Sequence, residues 1–176
     1  LVRDLEGLGI SYLAIHPRTG KQQYSGKADR GLVERICGWM DIPVIASGDV
    51  RTPDDVREYL DMGAKGVMFA RGSLGDPAWF LRVTDVLGDG KEWKPRYPKT
   101  HSEIEEHIGS IKKHLENCCL WRGEKRGCIE FRKHLVWYVK NFPGRAEYRE
   151  RMYSIKQKRD AILLVDDLKD DWTDLR

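Results

Sequence analysis

The sequence has no apolar run long enough for a membrane span and no paired cysteine motif. None of its apolar runs approaches the roughly 20 residues that a helix needs to cross a bilayer. No charged-then-apolar leader precedes the first predicted strand. Its four cysteines, Cys37, Cys118, Cys119 and Cys128, lack the CxxC spacing of a zinc or redox site. We therefore expect a cytoplasmic protein with reduced thiols, no membrane partner and no metal.

Charge is distributed unevenly along the chain, although the net charge is only +3. Residues 1–90 contain 11 Lys and Arg against 13 Asp and Glu, whereas residues 91–176 contain 20 against 15. Within 112–159 the corresponding counts are 14 and 5. This local excess predicts a polyanionic partner for the second half of the chain, and the alternative is an ordinary solvated helical surface.

The first half alternates between short apolar runs and helical patterns. The runs that predict strands are 11–15, 42–46 and 66–70. The patterns that predict helices are 1–8, 28–40, 52–62 and 76–87. Thr52 and Asp76 are predicted N-caps, because Pro53 and Pro77 follow them at the first helical position. Alternation of this kind predicts a parallel sheet built from right-handed βαβ units.

Two of the predicted strands end in loops that suit an anion. The loops are Ser47-Gly48-Asp49 and Ala70-Arg71-Gly72. Ligands bind at the carboxyl ends of strands in α/β folds, and two successive ends late in an (α/β) barrel commonly hold a phosphate. The first loop offers backbone amides, and Arg71 offers a guanidinium fork for an oxyanion.

The alternation stops after residue 88. Segment 89–99 is our predicted linker, because the chain there is rich in Gly, Pro and charge. The helices predicted beyond it are 101–121, 124–140, 147–155 and 158–168. In the second of these, one face carries Cys128, Phe131, Leu135 and Val139, and the opposite face carries Arg122, Arg126, Lys133 and Lys140. A basic stripe opposite a core face predicts contact with a phosphate backbone.

Six motifs follow one another along nearly the whole chain. They are Ile15-His-Pro-Arg-Thr19, Tyr24-Ser-Gly26 with Ala28-Asp29, Pro43-Val-Ile-Ala-Ser-Gly-Asp49, Val67-Met-Phe-Ala-Arg-Gly72 with Pro77, Phe131-Arg-Lys-His-Leu-Val-Trp-Tyr138 and Phe142-Pro-Gly144. Together, in this order and spacing, they resemble the tRNA-dihydrouridine synthase family.

The resemblance implies both a fold and a reaction. The fold is α/β followed by all-α: the last three βα units of an FMN-binding TIM barrel (1–88), a linker (89–99) and a helical tRNA-binding domain (100–176). The reaction is reduction of the C5–C6 double bond of particular tRNA uridines, with FMN as cofactor, NADPH as reductant and tRNA as the partner molecule.

The resemblance also implies roles for individual residues. Those matching cofactor-binding positions are His16, Ser47, Gly48, Asp49, Ala70 and Arg71. Arg132, Lys133 and His134 match a run that is associated with tRNA contact in the family. Our other candidates for tRNA binding are Arg18 and, from the basic stripe, Arg126 and Lys140. Arg18 has two open roles, meeting a phosphate of FMN or RNA and fastening its loop. Asp49 likewise has two, accepting from a ribityl hydroxyl and organising the loop. The family usually has Asn at the position of Ser47, whose hydroxyl cannot make the same two-ended amide contact.

Several parts of the family pattern have no counterpart in this chain. They are the N-terminal flavin loop, the Asn-x-x-Cys-Pro segment and a strand that contains a lysine. Because that cysteine is the family's general acid, we assign no catalytic residue here. Three strands cannot close a barrel, so we expect a C-terminal fragment that is inactive alone and whose missing barrel half lies in the full-length protein. The alternatives are another FMN-dependent barrel oxidoreductase, of the dihydroorotate dehydrogenase kind, and a non-catalytic RNA-binding remnant.

Overall fold

The computed structural model describes residues 2–93, 98–142 and 144–174. Residues 94–97 of the predicted linker and Pro143 of the last motif, Phe142-Pro-Gly144, lie outside the described residues. The chain divides into two compact units, one made of Leu1–Ser73 with Ala78–Trp93 and the other of Leu74–Pro77 with Lys94–Arg176. Within the described ranges, no helix is both long and apolar enough to cross a membrane.

The first unit is built on a three-stranded parallel sheet with strands in chain order. The strands are β1 (Leu13–Ile15), β2 (Val44–Ser47) and β3 (Gly66–Met68). The helices are α1 (Val2–Glu6), α2 (Arg30–Trp39), α3 (Pro53–Asp61) and α4 (Trp79–Asp89), and a 3-10 turn spans Arg71–Ser73. Ala46 pairs with Ile15 on one side and with Val67 on the other, so the strands end at one edge. The predicted α/β alternation is confirmed.

Capping residues explain where the helices of the first unit begin. The Asp29 carboxylate accepts from the Leu32 amide and starts α2. Thr52 forms the predicted N-cap of α3, in a reciprocal capping box with Asp55. The predicted cap at Asp76 is wrong, because a turn precedes α4 and its N-cap is Ala78, which makes no side-chain cap hydrogen bond.

The core of the first unit lies between the sheet and its helices. Val33 and Ile36 of α2 are buried, whereas Trp39, the last residue of that helix, is 45% exposed. From α3 and α4, the buried side chains include Tyr59 and Trp79. This packing fixes the helices against the strands and so fixes the loops at the carboxyl edge of the sheet.

The second unit contains four described helices. They are α5 (His101–Arg122), α6 (Glu124–Tyr138), α7 (Arg145–Met152) and α8 (Lys158–Asp174). The predicted inner face of α6 is confirmed, since its four side chains have no exposed surface: Cys128, Phe131, Leu135 and Val139. Helix α8 continues past the predicted end at Leu168, because Trp172 extends the same buried stripe by one turn.

Candidate functional site

An open cleft of about 200 Å³ lies at the carboxyl edge of the sheet in the first unit. Its lining residues are His16, Tyr24, Ser47, Gly48, Asp49, Val50, Arg51, Met68, Phe69, Ala70, Arg71 and Gly72. All six predicted cofactor-binding residues therefore share one cleft. Two arginines and one aspartate are the charged residues among them, so the cleft favours an anion.

Asp49 connects the loops that follow β1, β2 and β3. Its Oδ2 atom accepts from Arg18 Nη2 at 2.6 Å and from the Ala28 amide at 2.8 Å. Its Oδ1 atom accepts from Arg71 Nη2 at 3.3 Å. One carboxylate thus fixes the loop after β1 and faces the arginine that follows β3. The sequence leaves two roles open for Asp49, and these contacts support the one in which it organises the loop.

The ionisation of Asp49 follows from these contacts. Partial burial acts to raise the pKa of the carboxyl group, because it disfavours the charged form. Hydrogen bonds from the Ala28 amide and the Arg18 guanidinium, with the charges of Arg18 and Arg71, outweigh burial. The resulting pKa of Asp49 lies below its ordinary value. Asp49 therefore stays ionised at neutral pH and holds both guanidinium groups.

Arg18 is enclosed by the loop that it fastens. Its side chain is only 3% exposed. Besides the Asp49 carboxylate, the guanidinium donates to the carbonyl oxygens of Ser25 at 2.7 Å and Gly26 at 3.0 Å. So enclosed a side chain offers little surface to a nucleic acid. Its contacts support the loop-fastening role, and its contact with tRNA stays a prediction.

The backbone at Gly48 and Asp49 adopts an unusual conformation. Both residues have positive φ angles, 119° and 51° respectively. A Cβ at Gly48 would lie 2.9 Å from the Cβ of Ala28, so only glycine fits there. The buried Tyr59 of α3 donates its hydroxyl to the Gly48 carbonyl at 2.9 Å. Strain of this kind persists only where neighbours over-determine it, and it concentrates at ligand sites.

His16 and Ser47 meet across the ends of β1 and β2. The His16 Nδ1 atom and the Ser47 hydroxyl are 2.9 Å apart and hydrogen-bonded. Ser47 is buried, whereas His16 is exposed to solvent in the cleft. Ser47 therefore orients the imidazole ring, and Nε2 is the ring nitrogen left to meet a ligand.

Arg71 follows β3 and presents its guanidinium at the cleft. The side chain is 37% exposed, far more than Arg18. Its guanidinium carbon lies 4.5 Å from the ring centroid of Tyr24, in a cation–π contact that limits its rotamers. Arg71 is thus both oriented and accessible, as a residue that binds an oxyanion must be.

Sequence reasoning did not assign a site role to Tyr24 or Tyr59. Tyr59 lies on the buried face of α3. The sequence holds no signal that its hydroxyl would reach the Gly48 carbonyl. Tyr24 is 72% exposed in the structure. The signal available in the sequence is an aromatic residue within a polar loop that lies close to a predicted site.

In the second unit, the predicted basic face lies along α6. Arg126 and Lys133 are exposed on α6, as the helical spacing predicts. The helix ends at Tyr138, two residues before its predicted end, so Lys140 is exposed just beyond it. Arg126 Nε lies 3.0 Å from Glu130 Oε1, which partly neutralises its charge. Lys140 Nζ lies 5.6 Å from the ring centroid of Trp137. Lys133 is the exposed cation on this face whose charge we expect to be most available to phosphate.

The other two predicted tRNA-contacting residues of α6 are less accessible. The Arg132 guanidinium donates to the Ile155 carbonyl within the helical unit. The ring of His134 packs at a tilt against His114, with centroids 4.6 Å apart. Burial, and secondarily the charge of His134, lowers the pKa of His114. Adjacent helical residues point in different directions, so the Arg132-Lys133-His134 run does not present one common surface.

Neither unit shows a metal centre in the part of the chain that the structure describes. No group of three or more His, Cys, Asp or Glu side chains there is arranged to hold a metal ion. The chemistry of the cleft rests instead on arginine, histidine and hydroxyl groups and on the loop backbone. These groups fit a phosphorylated ligand that also carries hydroxyls.

Comparison with known proteins identifies the family. The family model described as dihydrouridine synthase matches residues 1–173. The probable tRNA-dihydrouridine synthase 1 of Synechocystis sp. is 32% identical over 163 residues, which are 92% of this chain and 44% of that protein. The probable tRNA-dihydrouridine synthase of Rickettsia conorii is 33% identical over 85% of this chain and 44% of the relative. For tRNA-dihydrouridine synthase B of Xanthomonas axonopodis pv. citri the identity is 33%, over 85% of this chain and 43% of the relative.

These comparisons give the family of the chain and the share of a family member's length that the chain covers. The chain spans a little under half the length of these curated relatives. The match of the family model extends over both structural units, the sheet with its cleft and the helical unit with its basic face. The chain belongs to the dihydrouridine synthase family.

Proposed function

We propose that the full-length protein is a tRNA-dihydrouridine synthase that reduces tRNA uridines with FMN as cofactor and NADPH as reductant. The observation that carries the proposal is the cleft, where an oriented and accessible Arg71 lies beside the Ser47-Gly48 loop and His16. The family match supports this function over the dihydroorotate dehydrogenase kind of reaction and over a non-catalytic remnant.

The residues of the cleft fit FMN. The guanidinium of Arg71 and the backbone of Ala70 would hold the phosphate, because a fork of N–H donors suits an oxyanion. Gly48, where a Cβ would collide with the Ala28 side chain, lets the Ser47-Gly48 loop pack tightly against the loop after β1. His16 would donate from its exposed ring to an electron-rich edge of the flavin. Bound FMN would supply the hydride chemistry that amino-acid side chains lack.

Asp49 and Arg18 act on the cofactor indirectly in this proposal. Their ion pair and the Ala28 amide hold the loops after β1 and β2 in one arrangement. Ser47 in turn orients His16. A site whose groups are held by their neighbours loses little entropy when the ligand binds. We therefore assign these three residues a positioning role.

The sheet of this chain would be the last part of a larger barrel. Three parallel strands in chain order, each followed by a helix or a turn, are what the end of a (β/α)8 barrel contains. The rest of the protein would provide the remaining strands and the cysteine that acts as general acid toward the uracil ring. On this proposal, the 176-residue chain alone does not reduce tRNA.

The helical unit would bind the tRNA backbone. Lys133 and Arg126 supply exposed positive charge on one face of α6, and Lys140 adds another just past the end of the helix. Phosphate contacts fix the position of a nucleic acid and do not read its sequence. This face would therefore orient tRNA rather than select the uridine. Arg132 and His134 would support the same helix from within the unit.

The test is an assay of the full-length protein with unmodified tRNA transcript, FMN and NADPH. The expected product is dihydrouridine, detected by nucleoside mass spectrometry as a gain of two hydrogens at uridine. A matched reaction without NADPH is the control. Oxidation of NADPH with no dihydrouridine in the digested tRNA would contradict the proposal.

A further inference from the structure

Two cysteine thiols in the second unit lie close together and have no part in the proposed function. The Sγ atoms of Cys119 and Cys128 are 3.8 Å apart. Cys119 lies in the last turns of α5 and is half-buried, whereas Cys128 lies in the second turn of α6 and has no exposed surface. The Cys119 thiol is also 3.9 Å from the carbonyl oxygen of Glu124, the first residue of α6.

The backbone, and not only side-chain rotamers, brings these thiols together. A Cβ at Gly127 would lie 2.6 Å from the Cys118 carbonyl oxygen and 2.7 Å from the Cys119 Cα. The two helices are therefore in backbone contact beside the pair, which only a glycine permits. This contact holds the two cysteines at a fixed separation, and their sulfurs need to approach from 3.8 Å to the bonding distance of about 2.05 Å.

We propose that Cys119 and Cys128 form an intramolecular disulfide when the protein meets hydrogen peroxide, which makes the α5–α6 turn a site of reversible covalent modification. The bond would close a loop of ten residues, counted from Cys119 to Cys128. That loop contains Arg122 and Arg126 of the basic face, so oxidation would place both arginines inside a covalently closed loop. This inference does not depend on the proposed enzymatic function.

The difference in burial sets the order of the two chemical steps. Burial, with the Cys119 thiol and nearby negative charges, raises the pKa of Cys128 to about 12. Cys128 is therefore a poor first nucleophile, and the half-buried Cys119 reacts first. The Cys119 thiolate attacks one peroxide oxygen, the O–O bond breaks, and the departing hydroxide takes up the thiol proton as water. This step oxidises Cys119 to a sulfenic acid.

The second step forms the disulfide. The Cys128 sulfur attacks the Cys119 sulfur, the S–O bond breaks, and the hydroxyl leaves as water with the Cys128 proton. In sum, two thiols and one hydrogen peroxide give one disulfide and two waters. A dithiol reductant reverses the change by thiol–disulfide exchange, with its own two thiols oxidised.

Cys118 is the competing partner, since it precedes Cys119 and is also half-buried. Trypsin separates the helices, because Lys113, Arg122, Arg126 and Arg132 are cleavage sites. Peptide 114–122 then carries Cys118 and Cys119, and peptide 127–132 carries Cys128. The variants C118S and C119S, compared with the wild type, decide which of the two neighbours reacts.

The experiment treats the reduced chain briefly with equimolar hydrogen peroxide, blocks the remaining thiols at acid pH and maps tryptic peptides by mass spectrometry. We expect peptides 114–122 and 127–132 to be linked in the wild type and in C118S but not in C119S. Far-UV circular dichroism confirms that the variants fold, and dithiothreitol should remove the link. No linked peptide in the wild type, or an equal yield in C119S, would overturn the proposal.

Discussion

The Arg18 guanidinium and the Asp49 carboxylate form an ion pair across the ends of β1 and β2, with Nη2 and Oδ2 2.6 Å apart. Arg18 is almost fully enclosed, and Asp49 is 22% exposed. Arg18, two residues after the candidate histidine His16, therefore pairs its charge with a partner inside the protein. Arg71, by contrast, keeps an accessible guanidinium beside the same carboxylate.

Loss of the Asp49 charge should destabilise the first unit. Replacing Asp49 with Asn leaves the enclosed Arg18 guanidinium without its counter-charge, and breaking a buried pair costs roughly 3 kcal/mol. D49N should therefore lower the free energy of unfolding in urea by about that amount. D54N is the matched control, because the Asp54 side chain is 86% exposed and pairs with Arg57 on the surface. Equal effects of the two substitutions would contradict the role of the pair.

The same carboxylate should make stability depend on acid pH. The pKa of Asp49 is lowered in the folded state, so the unfolded chain binds the proton at higher pH. The stabilisation is complete above the unfolded value of about 3.9 and is lost as pH falls through the folded value. The difference in unfolding free energy between wild type and D49N should shrink as urea unfolding is repeated from pH 6 toward pH 2. A difference that does not vary over this range would refute the linkage.

Tyr59 should support the loop through its hydroxyl group. The variant Y59F keeps the buried ring and removes the hydrogen bond to the Gly48 carbonyl, which leaves that oxygen without the donor. We expect unfolding in urea to become easier by about 1 kcal/mol. Y12F is the control, because Tyr12 is 60% exposed. If Y59F and Y12F behave alike, the Tyr59 hydroxyl does not hold the loop.

Lys133 should contribute to tRNA affinity through charge alone. In the variant K133A, the logarithm of the association constant should fall less steeply with the logarithm of salt concentration, by a slope of about one. Filter binding of tRNA to the chain at several salt concentrations gives this slope. K156A serves as control, since Lys156 is exposed in the helical unit but outside the predicted face. An unchanged slope in K133A would remove Lys133 from the interface.

The architecture could be predicted from the periodicity of apolar residues and from the residues that start and end helices. Alternating apolar runs and helical stripes predicted β1 to β3 and the helices between them, because each element must bury one face. Thr52 and Pro53 marked the start of α3 correctly, since their effect on a helix end is local. Asp76 and Pro77 carried the same local signal and gave the wrong start for α4, since the chain makes a turn there before the helix begins.

The site was predictable only in part, for a related reason. Strand ends and loop composition placed His16, Asp49 and Arg71 at one edge of the sheet, and the cleft contains all three. Which side chains pair across that edge depends on distances that no single segment encodes. The enclosure of Arg18 and the reach of the Tyr59 hydroxyl to Gly48 are contacts of this kind, between residues 31 and 11 positions apart from their partners.

The most direct test of the central claim measures flavin retention in the full-length protein. Visible absorption is recorded for wild type, R71A and R35A after FMN loading and desalting; Arg35 is an exposed arginine outside the cleft. Loss of a charge-assisted hydrogen bond to phosphate should weaken FMN binding about tenfold or more. We predict that wild type and R35A retain the flavin spectrum and that R71A loses it. Full retention by R71A would contradict the assignment of the cleft as the FMN phosphate site.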